Sequence, residues 1–342
     1  MRAGYMPAVG AAEFRDDMPE PQIGKADDVK IKIHNCGICG SEVHAYHGLH
    51  PFRIPPIVSG HELSGEVVEV GSGVTKFRVG DRVTAEPHYG CGECWYCKHG
   101  RYNVCPNKKV LGSFDWSGAL GEYVVVPEKT VMRLPEKLTY EEGALIEPIA
   151  NGMYAVRNSK IDAETNIVVI GCGPIGIGDY LCAKLHGPKN ILMVDVSDFN
   201  LEKARDMGAT LTCNSRRENL YDRVMELTDG VGADIVFLGF GDAPTIQQAV
   251  EICRRGGQLV QHALMEDGIA FPYRVHQQHE LDFKAYNMYT YEDFELIANA
   301  INEGRMDLSK FVTQRYPIEQ FAEAMHMADK RPEPVLKVMM YF

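Results

Sequence analysis

Residues 166–178 read NIVVIGCGPIGIG, a short apolar run passing without a break into a glycine-rich turn, and no other string limits the fold as tightly. A β-branched run ending on glycine predicts a buried strand, and the residues beyond predict a helix reaching about residue 186. Gly171 permits the tight turn, Gly173 lets an anion approach the backbone, and Gly176 lets the helix press against the strand. The rhythm then repeats, with a strand at 191–196, a helix at 201–207 stopped by Gly208, and further strands at 233–238 and 257–262. Such alternation predicts a parallel sheet covered by helices on both faces.

A dinucleotide suits this turn. The free N–H groups and partial positive charge at the start of the helix fit a pyrophosphate, with Pro174 and Ile175 completing the cradle around Gly171, Gly173 and Gly176. Asp195 closes the second strand 19 residues after Gly176, where its carboxylate can accept the ribose hydroxyls of an adenosine. Val196, Ser197 and Asp198 carry no cation for a 2′-phosphate, so NAD is expected over NADP. The expected architecture here is a doubly wound Rossmann α/β domain.

The chain before about residue 135 has another character. Short β-branched runs at 29–33, 63–70, 82–85 and 123–126 are separated by turn signals, which predicts a mostly β domain. Helix begins at 138, where Thr139 and Glu142 stand at capping-box spacing, and Pro148 is placed to open a second helical segment. A last strand is expected at 335–341. The nucleotide-binding domain therefore reads as an insertion at 149–284 in a catalytic domain built from 1–148 and 285–342.

Four of the ten cysteines form Cx2Cx2Cx7C at Cys91, Cys94, Cys97 and Cys105. Overlapping CxxC steps cannot all close comfortably into disulfides, whereas four thiolates this near one another complete a tetrahedral zinc shell with no open position. Such a site braces a domain and does not react. Cys172, Cys182, Cys213 and Cys253 are scattered singly, as small buried hydrophobes in a reducing compartment would be. The N-terminus lacks the pattern of a signal peptide and no apolar run is long enough to span a bilayer, so a cytoplasmic location is expected. Lys and Arg number 35 against 47 Asp and Glu, a net charge of −12 with no basic run, which gives nucleic acid or anionic membrane no electrostatic hold. Small molecules and further subunits are the expected partners.

Metal-capable residues also stand in CGICGSEVHAYHG at 36–48, GHELSG at 60–65 and LIEPIANG at 145–152. Glu147 lies inside the apolar run Ala144, Leu145, Ile146, Pro148, Ile149, where a buried carboxylate needs a cation beside it. GICGSE, GHELSGEVVEVG, GDRV, the cysteine loop, GALGEY, IEP and the glycine turn follow one another as in the zinc-dependent medium-chain dehydrogenase family, which essentially the whole chain resembles. It is most similar to the sorbitol, polyol and polyol-phosphate dehydrogenase branch, with threonine dehydrogenase nearby.

The resemblance implies a GroES-like, mostly β catalytic domain, a Rossmann domain, and assembly as a homodimer or homotetramer. It also implies one catalytic and one structural Zn²⁺ per chain, with NAD as the cofactor. On matching positions the catalytic zinc ligands are Cys39, His61 and either Glu62 or Glu147, with Cys36 a packed thiol. Thiolate, imidazole and carboxylate leave such a metal Lewis-acidic with an exchangeable position. The family's proton relay maps onto the Ser41 hydroxyl and, through the ribose, onto His44. Where the family usually has Asp this chain has Glu42, one methylene longer, at the position that orients the ligating histidine.

The implied reaction is oxidation of a secondary hydroxyl of a polyol, cyclitol, sugar acid or sugar phosphate by hydride transfer to NAD, with threonine or 2,3-butanediol as alternatives. Tyr46, His47, His50, Phe52, Arg53 and the loop near Trp116 are expected to border the pocket, and His47, His50 and Arg53 could hold a phosphate or carboxylate. Sorbitol dehydrogenases carry an Arg where this chain has Met288, which argues against sorbitol itself. A non-catalytic structural member of the same fold would be expected to lose Cys39, His61, Glu62 and Glu147, and all four are present.

Overall fold

The computed structural model describes residues 1–113, 116–263 and 268–342. Two compact units divide the chain, Met1–Glu147 with Thr290–Phe342 and Pro148–Tyr289.

The first unit is organised by one long strand, Asp28–Ile38, which pairs antiparallel with Glu62–Val70, with Tyr123–Pro127 over residues 28–32, and with Val338–Tyr341 over residues 35–38. The sheet continues through Arg82–Ala85 to Val131–Arg133 on one side and to Gln314–Pro317 on the other. Residues two apart share a face of a strand, and Val29, Ile31 and Ile33 are accordingly buried in one core with Leu63, Val67, Val124 and Val126. The register brings the chain end to the metal-capable segments: Val338 stands opposite Ile38, and Gly37 opposite Glu62.

The second unit is a six-stranded parallel sheet in the order Leu211–Asn214, Asn190–Asp195, Asn166–Ile170, Ala233–Leu238, Cys253–Gln261, Asp282–Ala285. The chain winds outward from Asn166–Ile170 in one direction, then returns and winds outward in the other. The crevice at the carboxyl ends of the strands lies at this reversal. The helix Pro174–Lys184 starts directly on the glycine turn. Asp198–Asp206, Leu220–Leu227 and Ala243–Ile252 begin at Ser197, Asn219 and Asp242, each of which accepts a backbone N–H of the first turn.

Pro148 does not open a second helix. Tyr140–Arg157 is one helix with the proline inside it, and Thr139 and Glu142 cap its start reciprocally. Proline removes one backbone hydrogen bond, but residues 143–150 are buried throughout, and that packing carries the helix across the gap. The last strand is Val338–Tyr341, which begins three residues later than expected and leaves Lys337 just outside it. Among the described residues no helix is long and apolar enough to cross a membrane.

Candidate active site and metal centres

The sulfurs of Cys91, Cys94, Cys97 and Cys105 lie within 4.8 Å of one another, and all four thiols are free. Cys91 and Cys97 are 4.0 Å apart and Cys94 and Cys105 3.7 Å, close to the separation of about 3.8 Å expected for four sulfurs at about 2.3 Å from a shared zinc. Burial pushes the Cys97 thiol up to about 12, while backbone N–H groups of Cys91, Cys94 and Cys97 donate to Cys105, Cys91 and Cys94 sulfurs respectively and favour those three thiolates. Such donation from Glu93 and Cys94 draws the Cys91 thiol down to about 6. Tyr102, between Cys97 and Cys105, ties the loop to the domain by donating to the buried Glu86 at 2.9 Å and accepting from the Tyr291 N–H at 2.6 Å. Burial, opposed by the Tyr102 bond and reinforced by Asp293, pushes the Glu86 carboxyl up to about 8.

A second cluster gathers side chains from distant segments. Cys39 follows the Asp28–Ile38 strand and precedes the helix Gly40–Tyr46, His61 and Glu62 lie at the start of Glu62–Val70, and Glu147 comes from Tyr140–Arg157. Ligand atoms of Cys39, Glu42 and His61 lie within 4.8 Å of one another, as do those of His61, Glu62 and Glu147. His61 joins the two sets: its Nδ1 is 3.0 Å from Glu42 Oε1 and its Nε2 is 4.0 Å from Glu147 Oε1. The extra methylene of Glu42 therefore does not remove a carboxylate from the histidine. Ser59 donates to the same oxygen at 2.9 Å, Arg53 Nε stands 3.4 Å from it, and the Cys39 N–H donates to the other oxygen at 3.0 Å.

Burial opposes the Glu42 charge, yet His61 and Arg53 hold the carboxyl well below its usual range. Burial likewise opposes a charged His61, and the Glu42 and Glu147 carboxylates carry the imidazole well above its ordinary value. A ring wedged between carboxylates and a thiol marks a place built for positive charge, which suits a divalent cation. Cys36 fits its role as a packed thiol: burial first, then Glu42 and Glu62, pushes it well up.

Lys337 was not among the residues expected here. Its buried Nζ donates to the Ile38 carbonyl at 3.1 Å and forms an ion pair with Glu62. A Cβ on Gly37 would stand 1.9 Å from Glu62 Oε2, so a larger residue there would push that carboxylate from its place on the facing strand. A lone lysine in the apolar run VLKVMMY is the mirror image of Glu147 in its own apolar run, and the same reasoning applied there would have found it.

Ser41 and His44 sit on the Gly40–Tyr46 helix, three residues apart and hence on neighbouring positions of one face. Ser41 Oγ is buried with no hydrogen-bond partner among the described residues, while His44 is exposed. The basic residues expected to grip an anionic substrate are engaged elsewhere. Arg53 is buried against Glu42 and donates to the Leu111 carbonyl at 3.1 Å. His50 is buried, accepts the Arg53 N–H at 3.1 Å, and is lowered to about 4 by burial and by Arg53. His47 pairs with Asp329 at 2.8 Å. Tyr46 is half-buried beside His47, and Phe52 packs edge-on against His50. Trp116 donates its indole N–H to the Val125 carbonyl at 2.9 Å, and residues 114 and 115 of its loop lie outside the described residues.

In the second unit Gly171 has φ 94°, and a Cβ on Gly176 would stand 1.8 Å from the Gly171 carbonyl oxygen. A Cβ on Gly173 would meet nothing within 4 Å, so the cradle opens onto free space at the start of the helix, as a pyrophosphate requires. Pro174 and Ile175 form the first turn of that helix. Asp195 accepts the Cys172 N–H at 2.7 Å and the Asn200 amide at 3.1 Å on one oxygen and the Ser197 N–H at 2.8 Å on the other, which aims the carboxylate while leaving a lone pair on Oδ1 for a hydroxyl donor. Arg217, far along the chain, forms an ion pair with Asp198 just beyond this strand end.

Models of two protein families match the chain, "Alcohol dehydrogenase GroES-like domain" over residues 25–136 and "Zinc-binding dehydrogenase" over residues 174–303. Sorbitol dehydrogenase of Bacillus subtilis is 34% identical over 334 residues, covering 95% of this chain and 93% of that protein. The chain belongs to the zinc-dependent medium-chain dehydrogenase family. Members of its polyol dehydrogenase-like branch are its relatives, and it is an oxidoreductase acting on CH–OH groups, with a GroES-like domain and a Rossmann domain. Among solved structures, galactitol-1-phosphate dehydrogenase of Escherichia coli superposes with a TM-score of 0.92 at 27% identity, covering 100% of both chains. The 2R,3R-butanediol dehydrogenase of Bacillus subtilis gives 0.90 at 31% identity, covering 100% of this chain and 99% of that one.

Proposed function

We propose that this dehydrogenase oxidises a secondary hydroxyl of an uncharged polyol or cyclitol with NAD, at a catalytic zinc held by Cys39, His61 and Glu147. The observation that carries this reading is the meeting of two donor sets at His61, Cys39 in one and Glu147 in the other, while Glu62 is taken up by Lys337. Zinc bound there would supply Lewis acidity to the alcohol, and the nicotinamide would accept the hydride. Glu42, pinned by Ser59 and Arg53, fixes the His61 ring. Ser41 Oγ, buried and without a partner among the described residues, would take the substrate proton while passing its own through the cofactor ribose to the exposed His44, which releases it to solvent. Glu62, paired with Lys337, would stay beside the metal as a charge-balanced carboxylate.

An uncharged substrate follows from the engagement of Arg53, His50 and His47 with protein groups, which leaves no free cation of that loop for a phosphate. Asp195 supports NAD over NADP, because a carboxylate on the adenosine ribose repels a 2′-phosphate. A homo-oligomer is supported by the Asp282–Ala285 strand, which ends the Rossmann sheet with one edge unpaired among the described residues and Phe283 partly exposed. The test is an NADH-formation screen over free polyols, inositols, sugar acids, sugar phosphates, threonine and butanediol. Turnover on free polyols or inositols is expected; turnover confined to phosphorylated sugars would overturn the uncharged-substrate reading, and equal use of NADP the cofactor reading.

A further inference from the structure

The helix that carries the glycine turn also carries a buried charge with no role in holding a pyrophosphate. Asp179 lies in Pro174–Lys184 with no exposed surface, and its two oxygens stand 2.8 and 2.9 Å from one atom, the Nε2 of His262. The His262 side chain is itself only 2% exposed. An isolated buried pair of this kind adds little stability over apolar residues of the same volume, so its presence points to a task of position.

The place of His262 suggests the task. It is the first residue beyond Cys253–Gln261, at the carboxyl end of the parallel sheet. Asp195 marks the adenosine side of the Asn166–Ile170 strand, whereas Ala233–Leu238 and Cys253–Gln261 lie on the opposite side. A dinucleotide laid across the switch point therefore sends its nicotinamide half toward the strand that ends at His262. The carboxylate at Nε2 makes that nitrogen the N–H donor, so in the neutral ring Nδ1 keeps an in-plane lone pair. Nδ1 is buried and has no hydrogen-bond partner among the described residues. An acceptor left so is costly unless a ligand completes it.

We propose that His262, oriented by Asp179, is a nicotinamide-side binding residue whose Nδ1 accepts a hydrogen bond from the cofactor carboxamide. Asp179 is then a positioning residue that sets the tautomer of the ring. The inference rests on the dinucleotide reading above, and the test separates the two. NADH and ADP-ribose, which lacks the nicotinamide ring, are titrated calorimetrically against the wild-type protein and His262→Gln, which keeps an amide N–H for Asp179 but loses the ring nitrogen. Should that variant not fold, Asp179→Asn/His262→Leu removes both members of the pair. NADH binding is expected to weaken about tenfold while ADP-ribose stays within about twofold, the loss of one hydrogen bond confined to one half of the ligand. Equal loss for both ligands, or none for either, overturns the role of His262. Failure of the wild-type protein to bind either ligand instead defeats the dinucleotide reading, and this inference with it.

Discussion

The two metal-donor clusters differ in chemistry, burial and origin. The Cys91–Cys105 set is uniform, partly exposed, and drawn from fifteen consecutive residues whose backbone N–H groups already support thiolates. The other set mixes sulfur, imidazole and carboxylate, is mostly buried, and is assembled from residues 39, 61, 62 and 147 with Lys337 beside it. Four thiolates saturate a zinc and leave nothing to exchange, whereas a mixed, charge-balanced pocket leaves the metal a position for substrate. On the proposed reading one cluster stabilises the domain and the other works.

That contrast is broken most directly at Cys39. Cys39→Ser is expected to lower kcat by at least about 10³-fold with the fold retained, since the Lewis acid is lost with its thiolate; near-normal NADH formation would remove Cys39 from the chemistry. A smaller effect is expected at the anchor of the cysteine loop. Glu86, raised to about 8 in the folded protein, holds its proton there while the unfolded chain releases it near pH 4.5, so its contribution is present below that pH and is lost as pH rises toward 8. Glu86→Gln should therefore match the wild type near pH 4 and exceed it near pH 8 by on the order of 4 kcal/mol, read from unfolding midpoints. A constant difference across that range would contradict the raised carboxyl. The smallest change concerns Lys337. Lys337→Met should cost about 3 kcal/mol in urea unfolding by leaving Glu62 buried without its cation, and the double variant with Glu62→Gln should regain most of it. Equal losses in the single and double variants would mean that Glu62 is not what Lys337 neutralises.

How much of this was legible in the sequence follows the same contrast. The cysteine loop and the glycine turn are local: spacing alone carries their chemistry, and the turn's geometry at Gly171, Gly173 and Gly176 is what that spacing requires. Glu147 was legible because a carboxylate in an apolar run needs a cation. Lys337 was overlooked although it stands in an equally apolar run, and its partner emerges only from the pairing of the chain end with Asn35–Ile38. Arg53 and His50 read as substrate groups because a basic loop after the zinc cysteine looks exposed, while their burial depends on contacts with Glu42 and Leu111 that spacing does not encode. Pro148 marked a helix start by local rule and was overridden by the packing of the turns around it.

The central claim is that two separate zinc sites do different jobs, and metal content measured alongside turnover tests it most directly. The wild-type protein is expected to hold about two zinc per chain, Cys39→Ser about one with no turnover, and Cys94→Ser about one with turnover surviving at reduced thermal stability. A wild-type protein with one zinc, or a Cys39→Ser variant that keeps two and still turns over, would contradict it.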